Sequence, residues 1–216
     1  MRYILLISGG YFLAFISWFL RHKYLEPVLL RFMGWFILVE YLIQVMSVSP
    51  SFLYQKSNYY LLNILCLITY SFYLFLFSEA IYSGKIKTLI LAAVCLFWSG
   101  YMFEAFYVGS FFRYLTFSDS LGRALVFAAG FMYLFQSLSK EDLIPFLKIP
   151  LFWVCSGILI SIAGSWIYTL FFTVILEQNA DHNGQIIYAL LITTNNLQYL
   201  LFTIGFLCNA EWKRNR

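Results

Sequence analysis

The sequence predicts an all-α membrane protein, a polytopic bundle of seven transmembrane helices. Of its 216 residues, 62% are hydrophobic and only 11% are charged. Soluble domains carry about 25% charged residues, and a water-soluble monomer does not expose the apolar area that this composition would leave on its surface. The same composition excludes a disordered chain and a nucleic-acid-binding domain.

Seven apolar runs, bounded by charged or turn-forming residues, are long enough to span a bilayer as helices, which takes about 20 residues. Their predicted bounds are 3–20, 28–47, 59–83, 88–107, 119–138, 151–176 and 186–208. Because seven spans use about 140 residues, we expect residues 1–216 to form one transmembrane domain with short loops and no soluble catalytic domain.

The connections between these runs are polar, with one exception. Gly84-Lys85-Ile86-Lys87 predicts a tight turn between the third and fourth helices. The exception is residues 108–118, where several aromatic side chains predict a loop that rests on the lipid headgroups.

The distribution of basic residues predicts the orientation of the bundle. With the N-terminus outside and the C-terminus in the cytoplasm, the inner side receives ten of the 14 Lys and Arg residues. These are Arg21, Lys23, Arg31, Lys85, Lys87, Lys140, Lys148, Lys213, Arg214 and Arg216. Cytoplasmic loops carry such an excess in membrane proteins, and an even number of helices would place the basic tail on the wrong side. We expect a multi-pass protein of a bacterial inner membrane.

The sequence contains no motif of a known enzyme class. It has no His-Glu-x-x-His zinc motif, no Gly-x-Ser-x-Gly nucleophile elbow and no phosphate-binding loop. The two histidines, His22 and His182, fall on opposite sides of the predicted membrane and cannot share a metal. We therefore predict a protein that is not an enzyme and that holds neither a cofactor nor a metal.

Polar side chains within the spans are few, and they concentrate between the predicted midplane and the outer surface. An ionisable group there costs about 2.5–3.5 kcal/mol on insertion scales, so it normally faces the bundle and finds a partner. The candidate ligand-binding residues are Glu40, Gln44, Asn63, Glu104, Arg123, Asn195, Asn196 and Gln198. Asp119 and Arg123 are spaced as an i, i+4 pair, and Glu40 and Glu104 are further counter-ion candidates for Arg123.

Two interpretations of this group remain open. The side chains could line an outward-facing pocket for a small polar ligand or a proton. Alternatively, the amides could hold helices together, at about 0.6 kcal/mol each, while Glu104 and Arg123 reach the headgroups. Glu40 lies too deep for that, so we expect it to be buried with a partner and partly protonated.

Two further features concern packing rather than a ligand. Arg31 begins the second helix and Glu79 lies near the end of the third, so the two could pair as a latch at the inner face, although both also suit the interface. In the sixth helix, Gly157, Ser161 and Ser165 form a ridge of small residues along which another helix can approach closely.

The last helix carries a weakly specific resemblance. Residues 194–206, Thr-Asn-Asn-Leu-Gln-Tyr-Leu-Leu-Phe-Thr-Ile-Gly-Phe, are followed by a short basic tail. This segment resembles the closing part of small seven-helix bacterial membrane proteins, some of which are similar to the membrane input modules of split sensor histidine kinases. The resemblance implies a receptor-like role with a separate cytoplasmic kinase; it implies no role for any single residue.

These observations favour a receptor-like sensor that binds a polar ligand in the outer half of the bundle and signals to a cytoplasmic partner. That partner would be a histidine kinase or another membrane subunit. The helices themselves would contact the lipid bilayer. A small transporter or channel is an alternative, but it requires a polar lining that continues to the inner face. A non-catalytic assembly subunit is another alternative, in which the asparagines serve packing alone.

Overall fold

The computed structural model describes residues 2–25, 27–48, 59–108, 111, 113–138, 146–177 and 185–208. Within these ranges the chain is all-helical, with seven α-helices and no strand. The helices are α1 (Arg2–Arg21), α2 (Val28–Val48), α3 (Tyr59–Ala80), α4 (Gly84–Phe103), α5 (Thr116–Leu138), α6 (Pro150–Glu177) and α7 (Gln185–Leu207). His182 and the basic tail lie outside the described residues.

Among the residues that the structure describes, four stretches are long and apolar enough to cross a membrane, which supports the predicted class. They are Val28–Met46, Tyr59–Ala80, Gly84–Val108 and Thr116–Leu138. Many of their large apolar side chains are exposed, as lipid-facing side chains would be; in α4 and its continuation Phe103, Phe106 and Tyr107 are 57%, 77% and 83% exposed. The fold therefore carries apolar surface that water would not tolerate.

The helix bounds agree with the predicted runs within a few residues, except at two connections. The predicted turn at 84–87 is wrong, because α4 already begins at Gly84. The break lies at 81–83, and the Lys87 amide donates to the Ser83 carbonyl at 2.9 Å. Lysines suit a helix end at a membrane surface because their apolar stems lie along the helix while the ammonium groups reach water.

The second difference lies around residues 104–119. Residues Glu104–Val108 continue α4 as a π-helical turn, and α5 begins at Thr116, three residues before the predicted start. A π turn accommodates one extra residue and rotates the side chains that follow. The loop predicted to rest on headgroups is partly buried, since Leu115 is only 2% exposed.

The chain divides into two compact units, which we name unit 1 (Met1–Arg21 and Ile144–Arg216) and unit 2 (His22–Leu143). In unit 1, α7 contacts both α1 and α6. The rings of Tyr11 and Tyr199 lie 3.9 Å apart where α1 meets α7. Gly157 of α6 is so close to α7 that an added Cβ would lie 3.0 Å from the Gln198 carbonyl oxygen. The close approach predicted from the small residues of α6 is thus confirmed at Gly157.

In unit 2, α3 is the central helix and contacts α2, α4 and α5. Aromatic side chains of α3 contribute to these contacts. Phe72 stacks on Phe36 of α2 with ring centroids 4.4 Å apart, and Tyr70 meets Phe97 of α4 edge to face at 5.8 Å. A Cβ at Gly122 of α5 would overlap the Tyr70 ring, so this glycine lets α5 approach α3.

Candidate functional site

A buried polar cluster lies at the end of unit 2 where α3 begins, α4 ends and α5 begins. We call it the polar end; it consists of Asn63, Tyr70, Glu104, Ser118, Asp119 and Arg123. Asn63 and Tyr70 are seven residues apart in α3 and therefore share a helix face. Asn63, Tyr70, Ser118 and Asp119 are all buried. Polar groups buried among apolar helices in this way are costly unless they form hydrogen bonds.

Asn63 holds the loop that joins the π turn to α5. Its amide nitrogen donates to the carbonyl oxygens of Phe111 and Arg113 at 2.8 and 2.7 Å. Its amide oxygen accepts from the backbone amide of Leu115 at 3.2 Å. One side chain thus satisfies three backbone groups that would otherwise be unpaired next to an apolar core.

Glu104 caps the first turn of α5. Its carboxylate accepts from the backbone amides of Phe117 and Ser118 at 3.1 and 2.6 Å, and from the Ser118 hydroxyl at 2.5 Å. The first amides of a helix have no partner within the helix, and the N-terminus carries a partial positive charge. A carboxylate compensates both, so Glu104 ties the end of α4 to the start of α5.

Asp119 and Arg123 form the ion pair that their spacing predicts. The Arg123 Nε donates to Asp119 Oδ2 at 2.8 Å, with side chains 14% and 5% exposed respectively. Tyr70 donates to the other carboxylate oxygen, Oδ1, at 2.6 Å. Among the described residues, the buried Nη1 of Arg123 has no hydrogen-bond partner. The guanidinium therefore keeps a donor for a group that these residues do not supply.

Tyr114, in the loop before α5, lies against this ion pair. Its phenol lies close to Asp119, while the residue as a whole is 37% exposed. Burial of the phenol and then the negative charge of Asp119 raise the pKa of Tyr114 above its usual value. The phenol therefore stays protonated in neutral solution and keeps its hydroxyl hydrogen as a donor beside this carboxylate. We call residues 113–115 the covering segment.

Two residues of the polar end, Tyr70 and Ser118, were absent from the predicted set, as was Tyr114 of the covering segment. Tyr70 had a recognisable signal, because it follows Asn63 by two helical turns in the interior of a span, and a buried tyrosine hydroxyl needs a partner. Tyr114 and Ser118 had none, since their roles depend on the path of the loop. The predicted position of aromatic side chains at the lipid interface accounts for Tyr114 equally well.

The remaining predicted ligand residues fall into two groups. Glu40 and Gln44 are half-buried on α2 of unit 2. Asn195, Asn196 and Gln198 belong to α7 of unit 1, where Gln198 is buried and Asn196 lies against α1 at Gly10. The convergence of all these side chains on one outward pocket stays a prediction.

The predicted inner latch involves backbone groups at the start of α2. Glu79 of α3 accepts from the amides of Val28 and Leu29, both at 2.9 Å. Arg31 donates from Nε to the Leu25 carbonyl at 3.0 Å. Glu79 thus joins α3 to α2 by capping a helix N-terminus, as Glu104 does at the other end of unit 2. The direct pairing of Arg31 with Glu79 stays a prediction.

Within the described ranges, no group of three or more His, Cys, Asp or Glu is placed to hold a metal ion. The four cysteines, Cys66, Cys95, Cys155 and Cys208, are free thiols. No protein-family model matches the chain, and neither a curated protein nor a solved structure is significantly similar to it.

Proposed function

We propose that this chain is a receptor-like module of a bacterial inner membrane, with seven spans, an outer N-terminus and a cytoplasmic C-terminus. In this proposal the polar end of unit 2 faces the external medium and receives a small polar ligand. Ligand binding shifts the helix packing, and the basic inner loops and tail transmit that shift to a separate cytoplasmic protein. Binding can do so only if the ligand interacts differently with two packings.

The observation that carries the proposal is the buried Asp119–Arg123 pair at an end that the basic-residue count places outside. Arg123 lies seven residues into α5, about 10 Å along its axis at 1.5 Å per residue. Ionisable groups at such depth are costly in membranes and mark functional sites by default. Tyr114 of the covering segment lies beside the pair, and Asn63 holds the backbone of the other two residues of this segment, Arg113 and Leu115. Movement of one short segment would therefore change access to the ion pair.

Cross-linking in native membranes tests the signalling part of the proposal. In one variant a photoreactive residue replaces Lys213 in the tail. In a second variant it replaces Arg113, which serves as the external control. We expect a discrete cytoplasmic protein to cross-link from position 213 and not from position 113. Recovery of lipids and general chaperones alone from position 213 would contradict a receptor-like role.

A structural subunit is the second candidate, and a specific observation favours it. Asn63, Glu104 and Glu79 direct their hydrogen bonds to the chain's own backbone. A protein that only stabilises a membrane complex would use polar residues in this way. In that event, the neutral double substitution Asp119→Asn with Arg123→Gln would leave both folding and complex assembly unchanged.

A further inference from the structure

Among the described residues, the terminal nitrogen Nη1 of Arg123 is the atom that says most about ligand chemistry. It is buried, and no described residue accepts a hydrogen bond from it. An unpaired donor in an apolar environment is costly, and more so when it belongs to a charged group. Because the Nε of Arg123 is already bound to Asp119, any further acceptor must approach the terminal nitrogens.

The charges around Arg123 restrict what that acceptor can be. Asp119 neutralises Arg123, and the charge of Glu104 is compensated by two α5 amides and the positive end of the helix. Because these positive charges are already compensated, an anionic oxygen that binds to Arg123 would need a further positive charge nearby. The exposed Arg113, on the covering segment beside Tyr114, can supply it.

We propose that Arg123 binds an anionic oxygen of a phosphate or carboxylate group, with the covering segment closing over it and Arg113 adding the second positive charge. Arginine is well suited to this because its planar guanidinium donates several hydrogen bonds to oxyanions at once. The anion could belong to a solute or to a lipid headgroup of the outer leaflet, since both offer the same oxygen. This inference rests on the proposed function only in assigning the site to ligand recognition.

The contacts of the covering segment explain how such a site could open without unfolding the bundle. The described contacts that hold the segment are the hydrogen bonds of the Asn63 side chain, the Tyr114 ring against Tyr59 and the buried side chain of Leu115. An anion that draws Arg123 toward it weakens the pairing of Asp119 with Arg123, and Tyr114 lies beside the same carboxylate. The ion pair and the segment are therefore coupled through one carboxylate.

Thermal unfolding of the purified full chain in nanodiscs tests the inference. In the first arm the lipid is neutral phosphatidylcholine, and sodium phosphate or acetate is titrated against sodium chloride at equal ionic strength. In the second arm the lipid contains phosphatidylglycerol, and no phosphate or acetate is added. We expect a saturable increase in Tm in at least one arm, of about 3 °C at tenfold above Kd. The first arm identifies a solute as the source, and the second identifies a headgroup.

Three variants make the result specific to the polar end. The neutral pair Asp119→Asn with Arg123→Gln should weaken the apparent affinity by about tenfold or more, because a charge-assisted hydrogen bond is lost. Arg113→Gln, at an exposed position, should weaken it less and should fold normally. Arg31→Gln, an arginine at the other end of unit 2, should keep the full response and serves as the matched control.

Two results would overturn the inference. One is the absence of a saturable response in both arms with the unsubstituted protein. The other is a response that Arg113→Gln and the neutral pair leave intact. The proposed function has a separate test, because cross-linking from the tail can succeed or fail whether or not Arg123 binds an anion.

Discussion

Both units bring helices close together at glycines, including Gly122 in unit 2, but in unit 2 buried polar side chains also connect helix ends. In unit 1, glycines bring backbones close: an added Cβ at Gly205 of α7 would lie 2.7 Å from the Pro150 carbonyl oxygen of α6. In unit 2, carboxylates and an asparagine connect helix ends, as Glu104, Glu79 and Asn63 do. In lipid, apolar burial does not drive helices together, so close packing and interhelical hydrogen bonds must serve instead.

The difference shows where function can reside. Close packing at glycine resists change, because a tightly packed contact has no second arrangement of similar energy. Hydrogen bonds to carboxylates can be exchanged for bonds to a ligand. Unit 2 therefore contains the part of the described molecule best suited to a response, and the following substitutions test that distinction.

The largest effect should follow Asp119→Ala. This change leaves a buried guanidinium and the Tyr70 hydroxyl without their shared partner, and breaking a buried ion pair in this way costs about 3–5 kcal/mol. Unfolding in mixed detergent micelles measures the loss. Adding Arg123→Gln to this variant should restore a large part of the stability, and no restoration would argue against the pair as the cause.

Asn63→Leu should have the next largest effect, up to about 3 kcal/mol, since the backbone groups that it pairs become unsatisfied. Hydrogen exchange provides a local readout. The Leu115 amide should exchange faster in the variant, whereas amides of α2 should not change. Unchanged protection at Leu115 would show that other groups hold the covering segment.

In unit 1, Gly205→Ala should destabilise by about 2 kcal/mol, because the new Cβ meets backbone rather than a flexible side chain. Gly9→Ala in α1 is the matched control, since nothing lies within 4 Å of a Cβ there. Alanine favours a helix over glycine by about 1 kcal/mol, so the control should be neutral or slightly more stable. Equal effects at both positions would remove the close-packing explanation.

Glu79→Gln should have the smallest effect, about 1 kcal/mol, which is typical for the loss of a helix cap. Glutamine keeps one acceptor oxygen, but its amide group cannot accept from the second of the two α2 amides. Glu104→Gln should cost more than Glu79→Gln, because Glu104 is only 9% exposed and accepts three hydrogen bonds. The reverse order, measured by the same unfolding experiment, would show that Glu104 contributes less to stability than its burial and three hydrogen bonds imply.

The helices were predictable because apolar runs of span length, and the charged or turn-forming residues that bound them, depend on local sequence alone. The pairing of Asp119 with Arg123 was predictable for the same reason, since i, i+4 neighbours meet on any helix. The capping by Glu104 and Glu79 was not. Each carboxylate reaches amides of another helix, so the contact depends on the loop path and, at Glu104, on a π turn that the hydrophobic pattern does not mark.

Asn63 shows the same limit for a residue that the sequence did identify as a candidate. The sequence identifies it as an unusual polar group in a span, and burial confirms that it is inside. Its partners are carbonyl and amide groups of a loop about 50 residues away in sequence. Backbone groups carry no sequence signal, so a candidate ligand residue and a loop-holding residue look identical before the fold is known.

Labelling of single cysteines in intact cells tests the central claim, that the polar end of unit 2 faces outward. The four native cysteines are replaced by alanine, and either Arg113→Cys or Lys87→Cys is introduced, both at exposed positions. A membrane-impermeant maleimide should label position 113 in intact cells and position 87 only after permeabilisation. Labelling of position 87 in intact cells, with position 113 protected, would contradict the account.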